Sequence, residues 1–195
     1  VISGSRLIIQ SGSINNGGKL LSRGDALITA DSVQQRGTLS ASNTNQLNVT
    51  GALNNSGEVS GSSLNIHSGS LLNSGYLLGS QQTDITSGIL QQDGTLSSQG
   101  RLQLKVTDRL SNSGELSGNS LDITSDTLDN SGKMISSGDA LLTASRLNQD
   151  GTLSAQGNAT LNIADTFSNS GKMVSQRLQI DAPTLINSGE MMSHG

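Results

Sequence analysis

The chain has no cysteine and no tryptophan, and among its 195 residues there is one proline, one tyrosine (Tyr76) and one phenylalanine (Phe167). Lack of cysteine excludes a disulfide framework and thiolate chemistry, but leaves the compartment open, because a repeat array can be secreted without disulfides. Lack of aromatics means that any core must be built from aliphatic side chains of similar size. No run approaches the ~18 consecutive apolar residues of a spanning helix, and no basic-then-apolar signal segment opens the chain, so this segment is not expected to insert in a membrane. Eleven Lys and Arg against fifteen Asp and Glu leave a net charge of −4. The basic residues are scattered singly, which speaks against a stripe able to follow a phosphate backbone, and nucleic acid is not expected as a partner.

What is present is a repeat. A glycine recurs at Gly18, Gly37, Gly57, Gly75, Gly94, Gly114, Gly132, Gly151, Gly171 and Gly189. Two positions after each stands Leu, Val or Met, from Leu20 to Met191, and four positions before each stands another apolar residue, from Ile14 to Leu185. The glycine spacings run 19, 20, 18 three times over, so three coils make a 57-residue triplet. Such self-similarity identifies a stacked array before any secondary structure is assigned.

Within each coil the apolar residues alternate with polar ones, as in Leu102-Gln103-Leu104-Lys105-Val106 and Leu121-Asp122-Ile123, and Gly, Asn and Ser separate the segments. Period two is the signature of half-buried strands, and nothing has helical spacing over a useful length. One coil buries too little to order itself, so coils must pair with those above and below and share an interior. The expected fold is all-β: a right-handed parallel β-helix of about ten coils of 18–20 residues. It would form a single segment over 1–195, internal to a longer array because both ends fall mid-coil.

Aligned columns follow from this. Two positions before the glycines stand Asn16, Gln35, Asn55, Asn73, Gln92, Asn112, Asn130, Gln149, Asn169 and Asn187. Amides donate and accept, so a continuous amide ladder running up the turns is expected. The glycines are expected to serve the turn through a positive φ. One position after them, Lys19, Thr38, Glu58, Tyr76, Thr95, Glu115, Lys133, Thr152, Lys172 and Glu190 never stack like charges. Two further columns are expected, one of threonines (Thr29, Thr50, His67, Thr86, Thr107, Thr124, Thr143) and one in which Lys105 separates Asp84 from Asp122.

The unit Leu110-Ser111-Asn112-Ser113-Gly114-Glu115-Leu116-Ser117-Gly118 resembles the filamentous-haemagglutinin repeat, and the resemblance covers the whole chain. It implies a right-handed β-helical shaft of a two-partner-secretion exoprotein, either a haemagglutinin-like adhesin or a CdiA-type effector of contact-dependent growth inhibition. It further implies a secreted or bacterial cell-surface location and an outer-membrane transporter as partner during export. A target-cell receptor or glycan would be met through other regions. The repeat does not distinguish adhesin from toxin delivery.

No enzyme is expected. Asp25 and Asp139 recur six coils apart, loops that would build a groove are missing, and the two histidines, His67 and His194, are too distant to share a metal. No Gly-Gly-x-Gly-x-Asp calcium repeat and no Gly-x-x-x-x-Gly-Lys phosphate loop occurs, so no cofactor is expected. The function read from the residues is a structural spacer. The rival is an adhesin whose β-helix faces bind host glycans or matrix directly.

Overall fold

A computed structural model describes all residues, Val1–Gly195. It is a β-solenoid of eighteen strands, every pairing parallel, and no helix is long and apolar enough to cross a membrane. Successive coils stack in the expected registers: Leu102 lies between Thr83 and Leu121, and Glu115 between Thr95 and Lys133. At ~4.8 Å per rung, ten coils span on the order of 48 Å.

One coil shows how the residues generate the shape. Strands Thr95–Ser98 and Arg101–Asn112 point Leu96, Ser98, Leu102, Leu104, Val106, Leu110 and Asn112 inward, with polar residues between them facing out. Alternation fails at three places, and each failure is a corner, so the cross-section has three sides. The aliphatic columns built this way form one continuous core, running from Leu7 to Met173. Burial comes from stacking: Leu110, with a coil on each side, is 0 % exposed, whereas Leu185, its counterpart in the last full coil, is 49 % exposed.

Coil length is set at two of the corners. The turn at the repeat glycine always has three outward residues, as in Ser113-Gly114-Glu115. The second corner has two in the 18-residue coil (Asn119, Ser120) and three in the others (Ser137, Gly138, Asp139). The third has two in the shorter coils (Asp126, Thr127) and three in the 20-residue coils (Thr107, Asp108, Arg109). The extra residue appears as a register shift between Val106 and Arg109 against both neighbouring coils. Corners absorb it because their residues face water and bear no core side chain, while a change inside a strand would reverse the facing of everything beyond it.

This placement corrects two columns drawn from the sequence. Thr29 stacks on Asn48, not Thr50, and Lys105, not Thr107, stacks between Thr86 and Thr124. Thr50 and Thr107 are corner residues. Asp84 and Asp122 flank Gln103 rather than Lys105, and the Gln103 amide donates to Asp122 at 3.4 Å. Thr50 and Thr107 each lie two positions past the residue that stacks, at the start of the third corner, which holds the extra residue of the 20-residue coils.

The interior also holds polar side chains outside the turn column. Asn45 replaces an aliphatic between Ala26 and Leu64, and its amide clamps two coils by donating to the Leu39 and Ser60 carbonyls at 3.2 and 2.9 Å. Thr83, between Leu64 and Leu102, is 0 % exposed and its hydroxyl has no partner. Thr83→Val keeps the shape and removes the orphan, so it should raise the denaturation midpoint by the equivalent of about 1 kcal/mol. A lower midpoint would show that the hydroxyl finds a bond.

Candidate functional site

The feature that recurs in every coil is the turn of the repeat glycine. The carbonyl of each ladder residue accepts two consecutive N–H groups from the coil above. Gln92 O, for example, receives Ser113 N at 2.9 Å and Gly114 N at 3.1 Å, and Glu115 N then donates to Gly94 O at 2.9 Å. The same trio repeats from Arg36-Gly37-Thr38 to Ser188-Gly189-Glu190, so the turns form a stacked backbone column.

The glycines serve this column, but not by the expected means. No glycine in the chain has a positive φ. Instead a Cβ on Gly37, Gly57, Gly75, Gly94, Gly114, Gly132, Gly151, Gly171 or Gly189 would fall on the carbonyl oxygen of the repeat glycine one coil below, inside 3.0 Å. Gly18, with no such neighbour beneath it, would meet only the Asn16 side chain. The constraint is close vertical approach of backbone to backbone, which a local turn pattern does not reveal.

The amide column is buried and hydrogen-bonded, with Asn16, Gln35, Asn55, Asn73, Gln92, Asn112, Asn130, Gln149 and Asn169 all nearly inaccessible. Asn73 Nδ2 donates to Gln92 Oε1 at 2.7 Å, to Thr95 O at 3.2 Å and to the carbonyl of its own turn glycine, Gly75, at 3.3 Å. Equivalent amide–amide bonds join Asn16 to Gln35, Asn55 to Asn73, Asn112 to Asn130, Asn130 to Gln149 and Asn169 to Asn187. The ladder is nevertheless not continuous, as the sequence had suggested. Gln35, Gln92 and Gln149 accept from below but do not donate to the amide above. Asn55, Asn112 and Asn169 each keep an Oδ1 without a donor. The Gln35 and Gln92 amides reach only the Glu58 and Glu115 carbonyls, both at 3.3 Å.

Other sequence candidates are drawn into the scaffold. Asp25 and Asp139 each accept a backbone N–H from the next coil, Thr44 at 3.1 Å and Asn158 at 2.7 Å. Ser22 and Ser136 donate across the same corner to the Asp25 and Asp139 carbonyls at 2.6 and 2.7 Å. These serines were missed by the sequence reading, although the shared Ser-x-Gly-Asp-Ala of the two corners signals them. Charged groups pair between neighbouring coils: Arg101–Asp84 at 2.9 Å, Arg109–Asp129 at 2.5 Å, Arg146–Asp165 at 3.0 Å and Lys172–Glu190 at 3.7 Å. Being largely exposed, such pairs contribute little stability. His67 and His194 are exposed, and no three His, Asp or Glu side chains converge on a common point.

One lateral groove of about 720 Å³ follows the third corner over several coils. Val106, Ala144 and Ile163 contribute to its floor, and hydroxyls such as Thr124 and Thr143 to its walls. It lies between the bulged corners at Thr107-Asp108 and Ala164-Asp165, because the two coils between them are shorter there.

Parallel coils, a glycine turn that admits no side chain and a buried amide column define a β-solenoid repeat protein. The family pattern described as Haemagglutinin repeat matches residues 1–57, 21–145 and 135–190, and the chain belongs to that family. No curated protein and no solved structure gives a significant match.

Proposed function

We propose that this chain is a length of shaft in a large secreted bacterial surface protein, wound right-handed and exported by two-partner secretion. The shaft holds a receptor-binding or toxin-bearing module away from the producing cell, as in contact-dependent growth inhibition. The observation that carries this reading is the unchanging turn: each coil offers the next the same backbone donors and acceptors, so length is added without altering the cross-section. Family membership supports the secreted location and an outer-membrane transporter as partner. The lack of cysteine suits passage in an unfolded state. In this role the chain catalyses nothing, and its carboxylates serve corners and inter-coil pairs.

A second reading, direct adhesion, is favoured by the lateral groove, whose hydroxyl-lined walls and small apolar floor suit a glycan strand. The two separate in a cell-binding assay. A spacer leaves target cells uncoated at micromolar chain concentration and leaves polysaccharides uncleaved. Saturable binding abolished by Thr143→Arg, which fills the groove, would transfer the function to the groove itself.

A further inference from the structure

We propose that the solenoid opens and closes in blocks of three coils, 57 residues each. The seams lie between the coils of Gln35 and Asn55, of Gln92 and Asn112, and of Gln149 and Asn169. Two independent defects coincide at these interfaces. The amide–amide bond present at the other six is missing, and each seam buries an unpartnered Asn Oδ1. The third-corner register shift also falls there, between Ala30 and Val33, Val106 and Arg109, and Ala144 and Arg146. The far side of the bulged coils of Asn55 and Asn112 carries a shift as well but retains its amide bond, Asn55 to Asn73 and Asn112 to Asn130.

In a linear array, stability is a sum of coil terms and nearest-neighbour interface terms, so opening begins at the weakest interface. A lost hydrogen bond together with a buried unsatisfied acceptor singles out the seam. Within a block, the amides of Asn55, Asn73 and Gln92, or of Asn112, Asn130 and Gln149, polarise one another and bind the three coils together. The Gln35 and Gln92 amides still reach the Glu58 and Glu115 carbonyls across their seams at 3.3 Å, a bond that Asn73 makes within a block in addition to its amide–amide bond. All three seams are also partly bridged on the outside, where Thr50 Oγ1 donates to Asp31 at 3.1 Å, Ser113 Oγ to Asp93 at 2.7 Å and Ser170 Oγ to Asp150 at 2.6 Å. Those bonds are exposed, and water competes for them in a way it cannot for the interior amides.

Residue-resolved native-state hydrogen exchange on the chain tests this. The Gly114 amide donates across a seam, while the Gly94 and Gly132 amides donate within blocks. Gly114 lies between them, so fraying from the ends alone would not make it faster than both. Gly114 is expected to exchange at least about fivefold faster than either. Gln92→Asn, which supplies the shorter amide found at non-seam positions, should slow Gly114 to the rate of its neighbours. Asn73→Gln should create a new seam and speed Gly94. Equal or slower exchange at Gly114 in the unaltered chain would overturn the proposal, and so would a fast Gly114 that Gln92→Asn leaves unchanged.

Discussion

Gly114→Ala is expected to destabilise the solenoid by about 3 kcal/mol or more, the upper end of what an overpacked site costs, and Gly114→Val by more still. The added Cβ meets the Gly94 carbonyl oxygen and the Asp93 backbone of the coil below, and neither can withdraw without breaking the bonds that hold them, Glu115 N to Gly94 O from above and Asp93 N and Gly94 N to Asn73 O below. Chemical denaturation monitored by circular dichroism reads the loss directly. Asparagine separates this cause from a backbone preference. It adopts left-handed conformations more easily than alanine, so a turn needing positive φ would tolerate Gly114→Asn better than Gly114→Ala. Because φ at Gly114 is not positive, Asn should be no better than Ala. Rescue by Asn would refute the steric account.

The second large effect concerns where one added residue can go. Inserting a serine between Asp126 and Thr127 converts a two-residue corner into the three-residue form already seen at Thr107-Asp108-Arg109. The cost should be below about 1 kcal/mol, as for surface changes remote from the core. Inserting the same serine between Asp122 and Ile123 should disrupt the coil and its neighbours. Past the insertion the facing reverses, so the serine takes the place between Leu104 and Leu142, Ile123 turns toward water, and Thr124 turns inward between Val106 and Ala144. Limited proteolysis and the denaturation midpoint distinguish the two variants. Similar midpoints would mean that the register is not held by the inward columns.

The repeat, its parallel stacking and its inward positions were legible in the residues alone. A strand's facing alternates with period two, and a solenoid copies that alternation every coil, so Leu96, Leu116 and Met134 announce one column. The glycine and amide columns were legible for the same reason. Stacked registers were misread in the 20-residue coils, at Thr50 and Thr107, two positions past the residues that stack, Asn48 and Lys105, because a match of residue type does not say which corner holds the extra residue. That is decided by which side chains find room inside.

Sequence by itself therefore determined that this is a stack of coils, which residues line its interior and which turn column runs along it, since each of these is a local pattern repeated. Only the tertiary structure decided why the glycines must be glycines and where the amide ladder breaks. Both depend on the distance between groups nineteen or so residues apart: a Cβ set against a carbonyl one rung below, and one methylene that carries the Gln92 amide past Asn112. Distances between rungs exist only once the coils are stacked.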